Sequence, residues 1–282
     1  MSRGRAQRST DLIEAAHEIL DEIQPATVRA VCYKLFVAKL IESMAKSETN
    51  KISRLLRLAR ENNEIPWEWI VDETREAERV SAWDNPRDYA RTVARSYRRD
   101  YWAQQSTRIE VWSEKGTVRG ILAPILDEYG VTFRVMHGYS SATAIRQIAD
   151  ETADEPLLAL YVGDWDPSGL HMSEVDLPRR LAEYGAFVEL ERVALDEDDT
   201  NSGLPHFAAE EKRGDPRYQW FVRHHGYRCF ELDALDPSEL RDRVERRIRV
   251  QIDFEVWDRC KAVEKAELQS LVEVMESWGR RP

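Results

Sequence analysis

Three carboxylates stand where a divalent cation could be held. Glu114 ends the run Ser113-Glu114-Lys115-Gly116, and Asp164 and Asp166 lie in Gly163-Asp164-Trp165-Asp166-Pro167-Ser168-Gly169. Two acidic side chains two positions apart in an extended turn point the same way and can share one ion. A third brought beside them repels both unless a hard cation sits between. Magnesium accepts a few carboxylates and keeps several waters, and manganese takes the same oxygen donors. A plainer reading stands beside this one, because aspartate is common in turns and helix caps that follow strands. A glutamate ending one strand, with Asp-x-Asp-x-x-Gly two strands later, is the more specific pattern. Ser168 is placed to cap the next helix and Gly169 to let the backbone pass closely.

The elements that must position these groups are legible from about residue 108. Arg108–Trp112 reads as a strand, Lys115–Tyr129 as a helix, Thr132–Met136 as a strand and Ser140–Ala149 as a helix. Pro156–Val162 then reads as a strand, Ser168–Tyr184 as a helix and Phe187–Ala194 as a strand. Such alternation implies a mainly parallel sheet with helices on both faces. Ligands of these sheets collect outside the carboxyl ends of the strands, where Glu114, Asp164 and Asp166 would converge. The stretch from Pro237 onward reads as helical.

Ahead of this region the chain reads as short helices. Asp11–Ile23 has helical apolar spacing with Asp11 and Glu14 as a capping pair, Thr27 caps a helix to about Leu40, and Ser47 caps a third to about Asn62. Pro66–Asp72 follows as an extended segment in which Trp67 and Trp69 alternate. Three helices and a hairpin-like strand outline a winged helix-turn-helix. On the third helix Ile52, Leu55, Leu56 and Ala59 fall on one side, and Lys51, Arg54 and Arg57 on the other. Such folds present a basic stripe like this to DNA, although the solvated face of an ordinary helix looks the same. The expected division is therefore 1–84 as a winged-helix domain, 85–107 as a linking helix, and 108–282 as the sheet domain with a helical extension.

Bulk properties bound the function. Of 282 residues, 42% are hydrophobic and 33% charged, which describes a globular chain with a core. No apolar run approaches the roughly 18 residues of a membrane span, and the arginines near Met1 precede no apolar stretch, so no secretory signal is expected. Cys32, Cys229 and Cys260 lie too far apart for a zinc site or a disulfide framework, which suits a reducing cytoplasm. The net charge of −11 argues against binding DNA by charge alone. It is unevenly spread, with 18 Lys plus Arg against 17 Asp plus Glu in residues 1–100 and 23 against 35 in the remainder. A DNA-binding reading therefore needs a local basic face and divalent cations.

Glu114 with Asp164-x-Asp166 resembles the acidic triad of a Toprim domain, the metal-binding module of topoisomerases, primases and some nucleases. Val188–Leu195, Leu204-Pro205, Glu211–Arg217 and Glu231–Pro237 resemble, in order, segments of the topoisomerase VI A subunit and Spo11-like family. The resemblance covers roughly residues 25–60 and 108–250. It implies an N-terminal winged-helix (CAP-like) domain followed by a Toprim domain, a double-stranded DNA substrate, a magnesium cofactor and a homodimer. In that family the attacking tyrosine lies in an arginine-x-x-aromatic-tyrosine motif and works with the metal of the other subunit.

Arg29 and Tyr33, in Thr27-Val28-Arg29-Ala30-Val31-Cys32-Tyr33, match that motif, with Cys32 where many relatives have an aromatic residue. They are i and i+4 on one helix face. Val28, Val31, Cys32 and Leu35 centre the apolar side, and a turn of about 100° per residue puts Tyr33 at its polar border. A tyrosine hydroxyl, with pKa about 10, needs a cation or base before it attacks phosphorus. Arg29 has the planar fork that suits a phosphate. The resemblance thus implies Tyr33, Arg29 and Glu114 as catalytic and a 5′-phosphotyrosyl product.

Two other classes compete: a hydrolytic Toprim nuclease of a defence or mobile-element system, in which water attacks, and a non-catalytic DNA-binding relative. Strand passage would need a separate ATPase or accessory subunit. His137, His224 and His225 lack metal-ligand spacing and read as loop or surface histidines. The turn Gly138-Tyr139-Ser140-Ser141 suits a phosphate contact or a helix cap equally well.

Overall fold

The computed structural model of the chain describes residues 7–71, 81–136 and 142–278. These fall into two compact units, Met1–Thr74 with Ile109–Ile248, and Arg75–Arg108 with Arg249–Pro282. The grouping differs from the expected order along the chain. The N-terminal helices share a unit with the sheet, and the segment expected to link them pairs with the C-terminal helix.

In the first unit, α1 (Gln7–Ile23), β1 (Ala26–Thr27), α2 (Val28–Val37), α3 (Lys46–Glu61) and β2 (Ile70–Val71) surround one apolar core. Leu12, Ala16 and Leu20 of α1 meet Val31, Cys32 and Leu35 of α2 and Ile52, Leu56 and Ala59 of α3. Thr27 caps α2 as expected, its hydroxyl accepting from the Ala30 amide at 3.0 Å. Two caps differ. α1 is already helical at Gln7, so Asp11 lies inside it, and α3 starts after Ala45 rather than at Ser47.

The stretch expected to be an extended wing is a 3-10 turn over Trp67–Trp69 followed by the two residues of β2. β2 pairs with β1 in parallel, Ala26 with Ile70 and Thr27 with Val71, not as one arm of a hairpin. Asp72 lies outside the described residues.

The sheet has the order β4-β3-β5-β6, from β3 (Arg108–Ser113), β4 (Thr132–Val135), β5 (Leu157–Val162) and β6 (Val188–Ala194). β3 runs parallel to β4 and β5 parallel to β6, giving the expected mixed α/β fold with a parallel sheet and flanking helices. All six residues of β5 are buried, as a strand covered on both faces requires. On one face Trp112, Leu157, Ala159 and Tyr161 pack on Ile145 and Ile148 of α6 (Ala142–Glu151) and on Leu177 and Leu181 of α8 (Leu177–Glu183). α5 (Thr117–Tyr129) follows β3 and contributes buried Val118, Ile121 and Leu122.

The helix after β5 is not uniform. α7 (Pro167–His171) runs into a π turn over Met172–Asp176 and then into α8. Pro178 explains the widening, since its nitrogen offers no hydrogen to the preceding turn. Besides β1, a further two strands and a helix escape the sequence reading: β7 (Phe207–Ala208) pairs antiparallel with β8 (Arg228–Cys229), with α9 (Tyr218–His225) between them. α10 (Pro237–Val250) is helical as expected.

The second unit pairs α4 (Pro86–Ser96) with α11 (Phe254–Trp278). α4 is capped by Asn85 and ends at Ser96, well short of the helix expected over this stretch. Glu267 receives the Tyr97 hydroxyl and an Arg99 guanidinium N–H, each at 2.6 Å. The Trp257 ring lies edge-on to Tyr101 and Trp102, with centroids 4.7 and 5.4 Å away.

Candidate functional site

Glu114 follows directly on β3 and Asp164 lies two residues beyond β5. These strands are neighbours in the sheet, so topology puts Glu114 beside the 163–169 turn. The electrostatics report the same proximity. Burial first, then Asp164 and Asp166, hold the Glu114 carboxyl above its usual range, while Lys115 and Lys212 pull it down.

The turn itself is fastened from several directions. Trp165 exchanges both backbone hydrogen bonds with Phe230, each 2.9 Å, as an isolated antiparallel bridge. The Leu232 amide donates to Asp164 Oδ1 at 2.8 Å. Arg192, at the end of β6, donates to the carbonyls of Gly163 at 3.3 Å and Leu195 at 2.7 Å, to Ser173 Oγ at 3.1 Å, and also to the Asp164 carbonyl. A buried guanidinium thus satisfies the carbonyls of a sharp turn, at the expense of its own solvation; burial pulls its pKa down. Gly169 is required here. A Cβ at this position would lie 2.5 Å from the Asp164 carbonyl oxygen.

Asp166, not Ser168, caps α7, its Oδ1 accepting from the Gly169 amide at 2.7 Å. The plainer reading of this aspartate is therefore realised alongside any chemical one. Asp164 and Asp166 meet different lysines among the described residues. Lys115 Nζ bridges Asp164 Oδ1 at 2.9 Å and Asp233 Oδ2 at 3.0 Å, whereas Lys212 Nζ stands 3.2 Å from Asp166 Oδ2. Among the described residues no group of three or more His, Cys, Asp or Glu side chains is drawn together as a ligand set. The donors nevertheless suit a hard cation. They are oxygen ligands, mutually repelling, and burial pushes the Asp164 carboxyl up in spite of Lys115. Two lysines supply the positive charge that such a cluster needs.

Tyr33 lies on the opposite bank of the same network. Only 6% exposed, it is more buried than its border position suggests. Its hydroxyl donates to Glu231 Oε2 at 3.0 Å, and the Arg29 guanidinium pairs with the same oxygen. Burial first and then Glu231 push the phenol well above its usual range. Two further contacts clasp α2 to the 231–236 segment: the Thr27 hydroxyl donates to Asp233 Oδ1 at 2.6 Å, and Lys34 pairs with Asp236. Asp233 joins this clasp to the acidic cluster, since it also meets Lys115. Cys32 is fully buried in the helical core, as its place on the apolar face implies.

Lys115, Lys212, Arg192, Glu231, Asp233 and Asp236 are thus parts of the site that sequence reasoning did not assign. The available signal was the alternation of acids in Glu231-Leu-Asp-Ala-Leu-Asp236, read only as a point of resemblance. Nothing in the spacing showed which cations those acids would meet.

The other nominated residues stand apart. Lys51, Arg54 and Arg57 are exposed on α3, opposite buried Ile52, Leu56 and Ala59. Arg57 is paired with Glu61 at 2.6 Å. Trp69 packs on the helical core and against His17, whereas Trp67 is exposed beneath the Arg60 guanidinium. His224 faces the Trp220 carbonyl at 2.7 Å and His225 faces Glu174 at 3.0 Å. Both border a cavity of about 410 Å³ with Trp165 and Arg192. His137 and the Gly138–Ser141 turn lie outside the described residues.

Fold and site together define a mixed α/β protein whose parallel sheet gathers lysine-neutralised carboxylates at its strand ends. No protein-family model matches the chain, and no curated protein matches it. No helix among the described residues is long and apolar enough to cross a membrane.

Proposed function

We propose that the protein cleaves double-stranded DNA with the help of magnesium or manganese, by transesterification in the manner of a topoisomerase VI A subunit. The observation that carries this reading is that Glu114 and the Asp164–Asp166 turn stand at the ends of two adjacent strands, beside the helix that bears Tyr33. In this reading the N-terminal helices form the winged-helix part, and the sheet with its helices forms the Toprim part.

Glu114, Asp164 and Asp166 would hold the ion. When bound, it supplies positive charge to the scissile phosphate and to the departing sugar oxygen. Lys51 and Arg54 would hold the duplex by its phosphates. Tyr33 oxygen would attack phosphorus as the bond to the 3′-oxygen breaks, leaving a 5′-phosphotyrosyl link and a 3′-oxygen that takes a proton from solvent to become a free hydroxyl. Its proton must leave with the attack, and Glu231, already receiving that hydrogen, is the nearest acceptor. Arg29 has to turn away from Glu231 to reach a phosphate, while Tyr33 keeps Glu231 as the acceptor of its proton; in a homodimer that phosphate would lie at the metal of the second copy.

One observation favours a second reading. Tyr33 is buried and its hydroxyl is held by a carboxylate, and burial with Glu231 raises its pKa, which suits a hydrolytic nuclease in which water attacks. The two are separated by incubating the full chain with end-labelled duplex and Mg²⁺ or Mn²⁺, then denaturing. Transesterification leaves label covalently on the protein and Tyr33→Phe abolishes it. Cleavage without an adduct, unchanged in Tyr33→Phe, would establish hydrolysis. Cleavage indifferent to Asp164→Asn and Asp166→Asn overturns both readings.

A further inference from the structure

The two lysines of the acidic cluster are held very differently. Lys115 is fixed between two carboxylates from separate segments, and its side chain is 32% exposed. It ties the 163–169 turn to the 231–236 segment, and nothing about it is provisional. Lys212 meets one carboxylate oxygen at 3.2 Å and lies over the Phe207 ring, 5.8 Å from its centroid, with 44% of its side chain exposed. It ends a short 3-10 turn, Ala209–Lys212, and is followed by exposed Arg213 and Gly214. A single, half-exposed ion pair on a flexible four-carbon stem is a weak attachment. Asp166 beneath it is buried, 7% exposed, and caps α7 with its other oxygen. A buried carboxylate is costly to leave ionised without positive charge beside it.

We propose that Lys212 is a place-holder: it neutralises Asp166 in the metal-free protein, and a divalent cation displaces it when taking that oxygen. This rests on the metal-dependent reading above and adds a residue that competes with the ion. The cluster then needs no ready-made ligand set, because the lysine keeps the carboxylates at rest without demanding coordination geometry. Lys115 stays in place through the exchange, since Asp233 holds it from the other side. The ammonium released from Asp166 remains tethered beside the ion, where a DNA phosphate would arrive.

The test is calorimetric titration of the metal-free, full-length chain with Mn²⁺, which reads binding without any need for catalysis. Lys212→Met is expected to bind Mn²⁺ roughly three- to tenfold more tightly than the parent, as removal of a partly screened positive charge in contact with the ligand oxygen predicts. Lys212→Arg, which keeps the competitor, is expected to match the parent. Asp166→Asn retains a helix cap but loses the charge, and should lose the site. Equal or weaker binding by Lys212→Met overturns the proposal while leaving the metal site standing. Lys212→Gln repeats the comparison if the methionine variant misfolds by circular dichroism. If the parent chain binds no Mn²⁺ that Asp164→Asn and Asp166→Asn abolish, the metal reading itself falls and the exchange falls with it.

Discussion

The hydroxyl of Tyr33 donates to Oε2 of Glu231 at 3.0 Å, across 198 positions of the chain. Arg29 pairs with the same oxygen, so one carboxylate holds both groups that strand cleavage by a tyrosine would need. The arrangement ties α2 to the segment that also steadies Asp164, and it makes the state of the tyrosine measurable.

Alkaline stability reports that contact. An unfolded tyrosine titrates at about pH 10, and burial together with Glu231 places the folded pKa higher. Native Tyr33 therefore keeps its proton where the unfolded chain has lost one. Its contribution to stability is fully present below about pH 10 and is lost as the pH rises through the folded value. The melting temperature of the parent chain should fall more steeply between pH 9 and 11 than that of Tyr33→Phe. Tyr161 is raised in the same direction, chiefly by burial, so the double variant Tyr33→Phe/Tyr161→Phe should be flatter still. Parallel curves for all three would contradict the buried, carboxylate-bound phenol.

Lys115 should matter more for folding than its partial exposure suggests. Removing it leaves Asp164 and Asp233 facing one another with no cation between. Lys115→Met is expected to lose about 1–3 kcal/mol in urea unfolding. A cycle with Asp233→Asn should show coupling of about 1 kcal/mol or more. Additive losses would mean that the Asp233 contact adds nothing to stability.

Two glycines of the site provide a matched pair. A Cβ at Gly169 would lie 2.5 Å from the Asp164 carbonyl oxygen, whereas one at Gly116 meets nothing within 4 Å. Gly169→Ala should cost about 1–3 kcal/mol and displace the aspartate turn, weakening any Mn²⁺ binding. Gly116→Ala should be close to neutral in both measurements. A well-folded Gly169→Ala variant of unchanged stability would show that the turn is not as tight as its geometry implies.

The basic stripe of α3 carries the DNA-binding side of the proposal. Lys51→Glu and Arg54→Glu alter exposed positions and should leave the melting temperature nearly unchanged. If the stripe meets phosphates, each loss should weaken duplex binding at all sequences and reduce the salt dependence by about one contact. Arg57→Glu should do less, because that side chain already pairs with Glu61. Duplex affinity and salt slope that ignore Lys51 and Arg54 would assign this face to solvent.

What the sequence by itself determined was local and periodic. The alternation from Arg108 onward set out a parallel sheet, because strands and helices announce themselves in their own apolar spacing. The α3 faces, the Thr27 cap and the burial of Cys32 followed from the same short-range geometry. Glu114 and the Asp164–Asp166 pair could be found because adjacent parallel strands deliver their ends to one place. Only the tertiary structure decided which charges meet. That Lys115 joins Asp164 to Asp233, that Lys212 covers Asp166, and that Glu231 takes Tyr33 and Arg29 together depend on segments 46 to 202 positions apart. An ionic side chain has no periodicity to betray its partner, and the energy of a pair depends on burial and distance, which exist only once the chain has closed.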